Sequence, residues 1–225
     1  MTEGKAVAAA PDVGASRDGE VERRWLAALQ QLTGAVAHEL RNALNGVAVN
    51  LEVVRSRATR EGAPASALGS FAGSASGQLE QVIAMTDALL ALTRAGQEPA
   101  AVGRITDQVA ALVRPVLAAA GGALEIVVEG DGATRLPAVA ARLFVAATLL
   151  AAVEAARPAS GAPEKATALR GSVRPAEGRV KGVELRIEGT FARTPALDPE
   201  VVRLATEQGV GVVPAESSIT STFPA

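Results

Sequence analysis

The sequence predicts an α+β protein: an antiparallel helical hairpin that dimerises into a four-helix bundle, followed by a two-layer α/β sandwich. Three observations carry this expectation. Residues 21–59 hold no proline, and their apolar positions recur at intervals of three and four. A second amphipathic stretch follows a short break rich in Gly, Pro and Ser. Beyond residue 100 the pattern changes to helices interleaved with short apolar runs bounded by glycine.

Residues 1–18, rich in Ala, Gly, Asp and Ser, read as a flexible lead-in. The hairpin domain spans 19–97. Its first helix runs from Val21 to about Thr59, with Leu32, Val36, Leu40, Ala43, Leu44, Val47, Leu51 and Val54 as one buried stripe. Residues 60–75 break the pattern. The return helix covers Ser76–Arg94, its face marked by Leu79, Val82, Ile83, Leu89 and Leu90. A hairpin alone leaves an apolar face unsatisfied, so a homodimer is expected. Gly96–Ala100 is the linker, and 98–225 form the second domain. There the reading is helix Ile105–Ala119, strand Ala123–Val128 and helix Leu136–Ala156. Strands Lys165–Val173 and Val180–Glu188, helix Pro199–Gln208, and strands Gly211–Val213 and Ser218–Phe223 complete it.

Composition narrows the function. The net charge is -2 without a long basic block, and aromatic residues make up only 2% of the chain. Electrostatic or stacking recognition of nucleic acid has little support. With no cysteine, disulfides and thiolate chemistry are excluded. The first twenty residues lack the apolar core of a secretion signal. The richest apolar run, Leu143–Ala156, is short for a membrane span and carries Glu154. A cytoplasmic protein with no membrane partner is expected.

The chain has one histidine, His38, so no histidine cluster can form and a zinc site has no basis. At 100° per residue His38 points away from the stripe, into solvent. Asn42 and Asn45 lie near the same face, and Glu39 and Arg41 flank the ring. Val49 and Val53 also fall on this outer side and make a small docking patch. An exposed imidazole can accept a phosphoryl group; Glu39 can raise its basicity and Asn42 can position a phosphoryl oxygen. The plainer alternative is a surface histidine on a soluble helix, with Glu39 and Arg41 serving solubility.

The run His38-Glu39-Leu40-Arg41-Asn42-Ala43-Leu44-Asn45 resembles the phospho-acceptor box of sensor histidine kinases. Ala43 replaces the proline of that family. The second domain resembles a reduced form of the family's ATPase-like domain. "LFVAATLLAAVEAA" is similar to the helix that carries its magnesium-binding asparagine, but Ala147 and Ala151 stand at the matching positions. After "GVELRIEG" comes Glu188-Gly189-Thr190-Phe191, without the family's acid-x-Gly-x-Gly element, and both glycine-rich phosphate loops are missing.

The resemblance therefore implies a histidine phosphotransferase with no intrinsic cofactor. His38 is the acceptor, with Glu39 and Asn42 assisting and Arg41, Asn45, Val49 and Val53 docking the partner. The partners are response-regulator receiver domains, which supply the aspartate and Mg²⁺, and a hybrid histidine kinase. The alternatives are a regulatory pseudokinase or scaffold that binds a kinase or regulator without phosphotransfer, and a divergent active kinase.

Overall fold

A computed structural model of the chain describes residues 13–59, 65–94, 100–130, 132–157, 167–176 and 182–225. Most of the expected lead-in (1–12) and of the expected linker (95–99) lies outside the described residues. The hairpin is built from α1 (Val13–Ala58, 46 residues) and α2 (Ala65–Thr93, 29 residues). Both helices start earlier than the sequence predicts. Residues 13–18, expected as lead-in, form the first turns of α1. Residues 65–75, expected as a break, are helical despite Gly69 and Gly73, each costing about 1 kcal/mol relative to Ala. Packing between the helices overrides that propensity. Near the turn, the Arg57 guanidinium lies 4.7 Å from the centre of the Phe71 ring.

The buried stripe also differs from the expected one. Val21, Trp25, Leu32, Val36 and Ala43 are buried on α1, and Ala75, Met85, Ala88 and Leu92 on α2. Leu44 and Leu51, expected inside, are about half exposed, as are Leu79, Ile83 and Leu90. A single partner helix covers only part of each apolar arc. Side chains one residue beyond a buried position are rotated by about 100° out of it.

The second domain begins with β1 (Ala100–Ala101), α3 (Val102–Ala119), β2 (Ala123–Val128), β3 (Ala133–Thr134) and α4 (Ala138–Ala156). It continues with β4 (Ala168–Pro175), β5 (Gly182–Gly189), α5 (Pro199–Glu207), β6 (Gly211–Pro214) and β7 (Ser218–Pro224). The main sheet has the order β2-β4-β5-β7-β6, with β2 and β4 parallel and every other neighbour antiparallel. β4 and β5 pair as the expected hairpin. β1 and β3 pair with each other; two residues apiece are too short to leave a sequence pattern.

Alternation sets the two faces of the sheet. Leu169, Val173, Leu185, Ile187, Ile219 and Phe223 are buried against the helices. The opposite face carries charges joined across strands, such as Arg174–Glu184 at 3.0 Å. Thr148 on α4 is hydrogen-bonded to Ser221 on β7 at 2.7 Å, both buried. α4 is long and apolar enough to cross a membrane, yet 67% of its most apolar window is buried inside the fold. Gly121 and Gly209, at φ +74° and +76°, end α3 and α5. Each allows the amide two residues past the helix cap to reach a carbonyl of the last turn, Gly122 to Leu117 and Val210 to Ala205.

α1 joins the two parts. Val21, Trp25, Leu32 and Val36 belong to the same apolar cluster as Leu112 and Val113 of α3 and Leu149 and Val153 of α4. At its edge, Arg24 reaches Asp198, the N-cap of α5, at 3.7 Å and Glu20 at 3.2 Å. Hydrogen bonds from Arg23 and Arg24 hold the half-buried Glu20 carboxyl below its ordinary pKa. Trp25, only 5% exposed, is the largest side chain in this junction. Trp25→Ala should cost about 3 kcal/mol of stability by the cavity it leaves, measured as a lower urea midpoint at unchanged slope.

Candidate functional site

The outer face of α1 is set by what the inner face buries. Val36 is fully buried, and His38, two residues on, is turned about 200° from it. His38 is exposed and has no hydrogen-bond or ion-pair partner among the described residues. Asn42, Asn45, Val49 and Glu52 follow at steps of four and three and share its face; all four are exposed, Val49 by 63%. Arg41 is exposed at the edge of this face. Glu39 is half-buried and forms no hydrogen bond with the ring, and Val53 is also half-buried. The structure thus brings His38, Asn42, Asn45 and Val49 together and sets Glu39 and Val53 to one side.

The same face continues towards the N-terminus through Ala35 to Gln31, seven residues or about 10 Å from His38. Gln31 lines a cavity of about 320 Å³ between α4 and the segment that follows β5. The sequence gives no sign that Gln31 would meet α4, because the contact depends on how α1 docks.

Ala147 and Ala151 sit on the α4 side of this cavity, with Glu154 and Ala155. The segment 190–198 covers its other side and is tied down. The backbone amides of Ala192 and Arg193 donate to the Ala155 carbonyl at 2.8 and 3.4 Å, and the Arg193 guanidinium meets Glu154 at 2.6 Å. Arg157 adds a second contact to Glu154 at 3.4 Å.

Mg-ATP demands oxygen ligands for the metal and several donors around the phosphates. From α4 the cavity receives Ala147, Leu150, Ala151 and Ala155, which supply no ligand, and Glu154, a carboxylate already engaged by two arginines; Gln31, Arg193, Thr194 and Asp198 belong to the rest of the lining. α4 itself therefore offers no free oxygen ligand to the metal of Mg-ATP. Among the described residues there is also no cluster of three His, Cys, Asp or Glu suited to a metal. Arg142, further back on α4, has a buried Nε without a partner, and burial lowers its pKa.

No protein-family model and no curated protein matches the chain. Among solved structures it is similar to the histidine kinase AdeS of Acinetobacter baumannii. That likeness has 13% identity and TM-score 0.40, and spans 83% of this chain and 97% of that one. It is also similar to the histidine kinase domain of the blue-light activated kinase EL346 of Erythrobacter litoralis, with 13% identity, TM-score 0.43, and 79% and 94% of the two chains. The third is full-length ShkA in complex with AMPPNP, with 18% identity, TM-score 0.41, and 87% and 45%. These scores are low, and the description of the fold rests on the chain's own elements.

The cavity generates a direct expectation. Introducing asparagine at both positions, Ala147→Asn with Ala151→Asn, should leave Mg-ATP binding undetectable by calorimetry. The Glu154 carboxylate stays held by Arg193 and Arg157 and is not free to ligate the metal.

Proposed function

We propose that the protein is a histidine-containing phosphotransfer protein of a two-component phosphorelay, with His38 as the phosphoryl carrier. The observation that supports this reading most is a contrast within one chain. His38 stands exposed inside a kinase-like acceptor box, while α4 turns Ala147 and Ala151 to its cavity at the positions where the resembled family carries asparagine.

The chemistry asks little of this chain. A ring nitrogen of His38 attacks the phosphorus of an aspartyl phosphate on a receiver domain. The P–O bond to the aspartate breaks, the carboxylate leaves, and the ring proton passes to water. The receiver supplies the aspartate and Mg²⁺. Asn42, one turn from His38, is placed to donate to a phosphoryl oxygen, and Asn45 and Val49 extend the docking face away from it. Arg41 contributes charge at its rim.

The functional unit in this reading is a homodimer. Leu44 and Leu51 on α1 and Leu79, Ile83 and Leu90 on α2 are 47–53% exposed, which is costly for five large aliphatic side chains on one hairpin. Pairing of two hairpins into a four-helix bundle removes them from water.

Two measurements test these statements. Incubation with a phosphorylated receiver domain should move label onto the wild-type protein and not onto His38→Ala; absence of transfer from every cognate receiver removes the proposal. Light scattering at micromolar concentration should give a dimer mass for the wild type and a monomer mass for Leu51→Glu combined with Ile83→Glu.

A further inference from the structure

Two directional contacts join α1 to α2. The Asn50 carboxamide donates to the Gln78 side-chain oxygen at 3.0 Å, and the Arg57 guanidinium lies over Phe71 at 4.7 Å. From Asn50 to Arg57 is seven residues forward; from Gln78 to Phe71 is seven residues back. Both contacts therefore obey one antiparallel register, two helical turns apart. Carried a further heptad towards His38, that register puts Ala43 level with Met85, and the next puts Val36 level with Leu92. All four of these are buried. The seam is apolar at the end near His38 and polar at the turn.

Apolar contacts hold helices together without fixing their height, since they lack direction. A hydrogen-bonded pair inside the seam fixes it, because any slip leaves two half-buried carboxamides without partners. The backbone is shaped to admit this pair. A Cβ at Gly46, one turn before Asn50, would lie 2.2 Å from Gln78 Nε2 and 2.6 Å from its Cδ. Gly46 leaves the hollow in which the Gln78 carboxamide lies. Gly34, elsewhere on α1, and Gly73 on α2 meet nothing within 4 Å and have no such role.

We propose that Gly46, Asn50 and Gln78 form a positioning clasp that sets the height and rotation of the His38 segment of α1 against α2. None of the three touches the reacting atoms. They act through the helix, in a chain whose acceptor box has Ala43 where the resembled family has proline. Their effect on phosphotransfer rests on the function proposed above; their effect on register does not.

The test separates these two layers. The chain has no cysteine, so introduced pairs report register without background. In the wild-type background, Ala43→Cys with Met85→Cys should oxidise to an intramolecular disulfide, and the pair offset by one turn, Ala43→Cys with Ala88→Cys, should not. With Asn50→Leu and Gln78→Leu added, the offset pair should also cross-link, while the urea midpoint stays equal or rises. Gly46→Ala should behave like the Leu pair by expelling the Gln78 carboxamide, and Gly73→Ala should not. Transfer from a phosphorylated receiver should fall about tenfold in the Leu pair, as expected for a misplaced acceptor. Cross-linking confined to the matched pair in every background overturns the clasp. Relaxed register with unchanged transfer overturns its positioning role. A wild type that takes no phosphate overturns the functional reading and leaves the register result standing.

Discussion

The arrangement depends on the burial of one side of α1 by two different partners. Towards its C-terminus the partner is α2, and towards its N-terminus it is the α3/α4 layer of the second domain. Val36, fully buried, is where the two meet: it lines the junction with Leu112, Val113 and Val153 and lies level with Leu92 of α2. Exposing it would cost the apolar contacts of both parts at once, about 2 kcal/mol from transfer alone. With Val36 fixed inward, the helix has no freedom to turn His38 anywhere but outward. The accessibility of the histidine follows from the packing of a valine two residues earlier.

The second domain keeps the residues that bury its core apart from those that border the cavity. α4 presents different side chains on different sides. Phe144, Thr148 and Ala152 lie towards the sheet, with Thr148 bonded to Ser221, whereas Ala147 and Ala151 border the cavity. Replacing a polar residue on the cavity side by alanine removes no core contact and even favours the helix. The segment 190–198 is bonded to the Ala155 carbonyl and to Glu154, and Asp198 at its end caps α5 and approaches Arg24 of α1. It is thereby part of the junction between the two parts of the chain.

How much of this was readable in the sequence depends on the kind of signal. β2 was legible residue for residue, because glycines bound a short alternating run. α5 was legible as a short helix opening at Pro199, and its observed end at Glu207 falls one residue before the expected Gln208. Which apolar residues of the hairpin face inward was not legible. Leu44 and Leu51 satisfy the same three-and-four spacing as Val36 and Ala43, and only the position of α2 and α3 decides between them. Gly46 carries no signal of its own in the sequence; its meaning lies in Gln78, 32 positions away. The exposed setting of His38 followed from periodicity alone, since it needs only the sign of the angle between the ring and the stripe. Gln31 at the cavity could not be foreseen, as it depends on the docking angle of α1.

The half-exposed leucines of the hairpin carry the last step. Leu44 and Leu51 are turned about 120–140° from His38 around α1, so a surface laid over them leaves the imidazole open. Asn50 and Gln78 set the height of the two helices, which places Leu51 level with Gly77 and Leu44 level with Ala84. The exposed leucines of α1 therefore lie at nearly the same height as Leu79 and Ile83 of α2, within about one helical turn along the axis. An apolar surface assembled from two helices is only as continuous as their register. A slip of α2 by one turn would carry Ile83 away from Leu44 and break the surface while leaving each helix intact. In the proposed dimer, the clasp near the turn of the hairpin thus governs two things together: where His38 is held, and whether the surface that pairs the hairpins is complete.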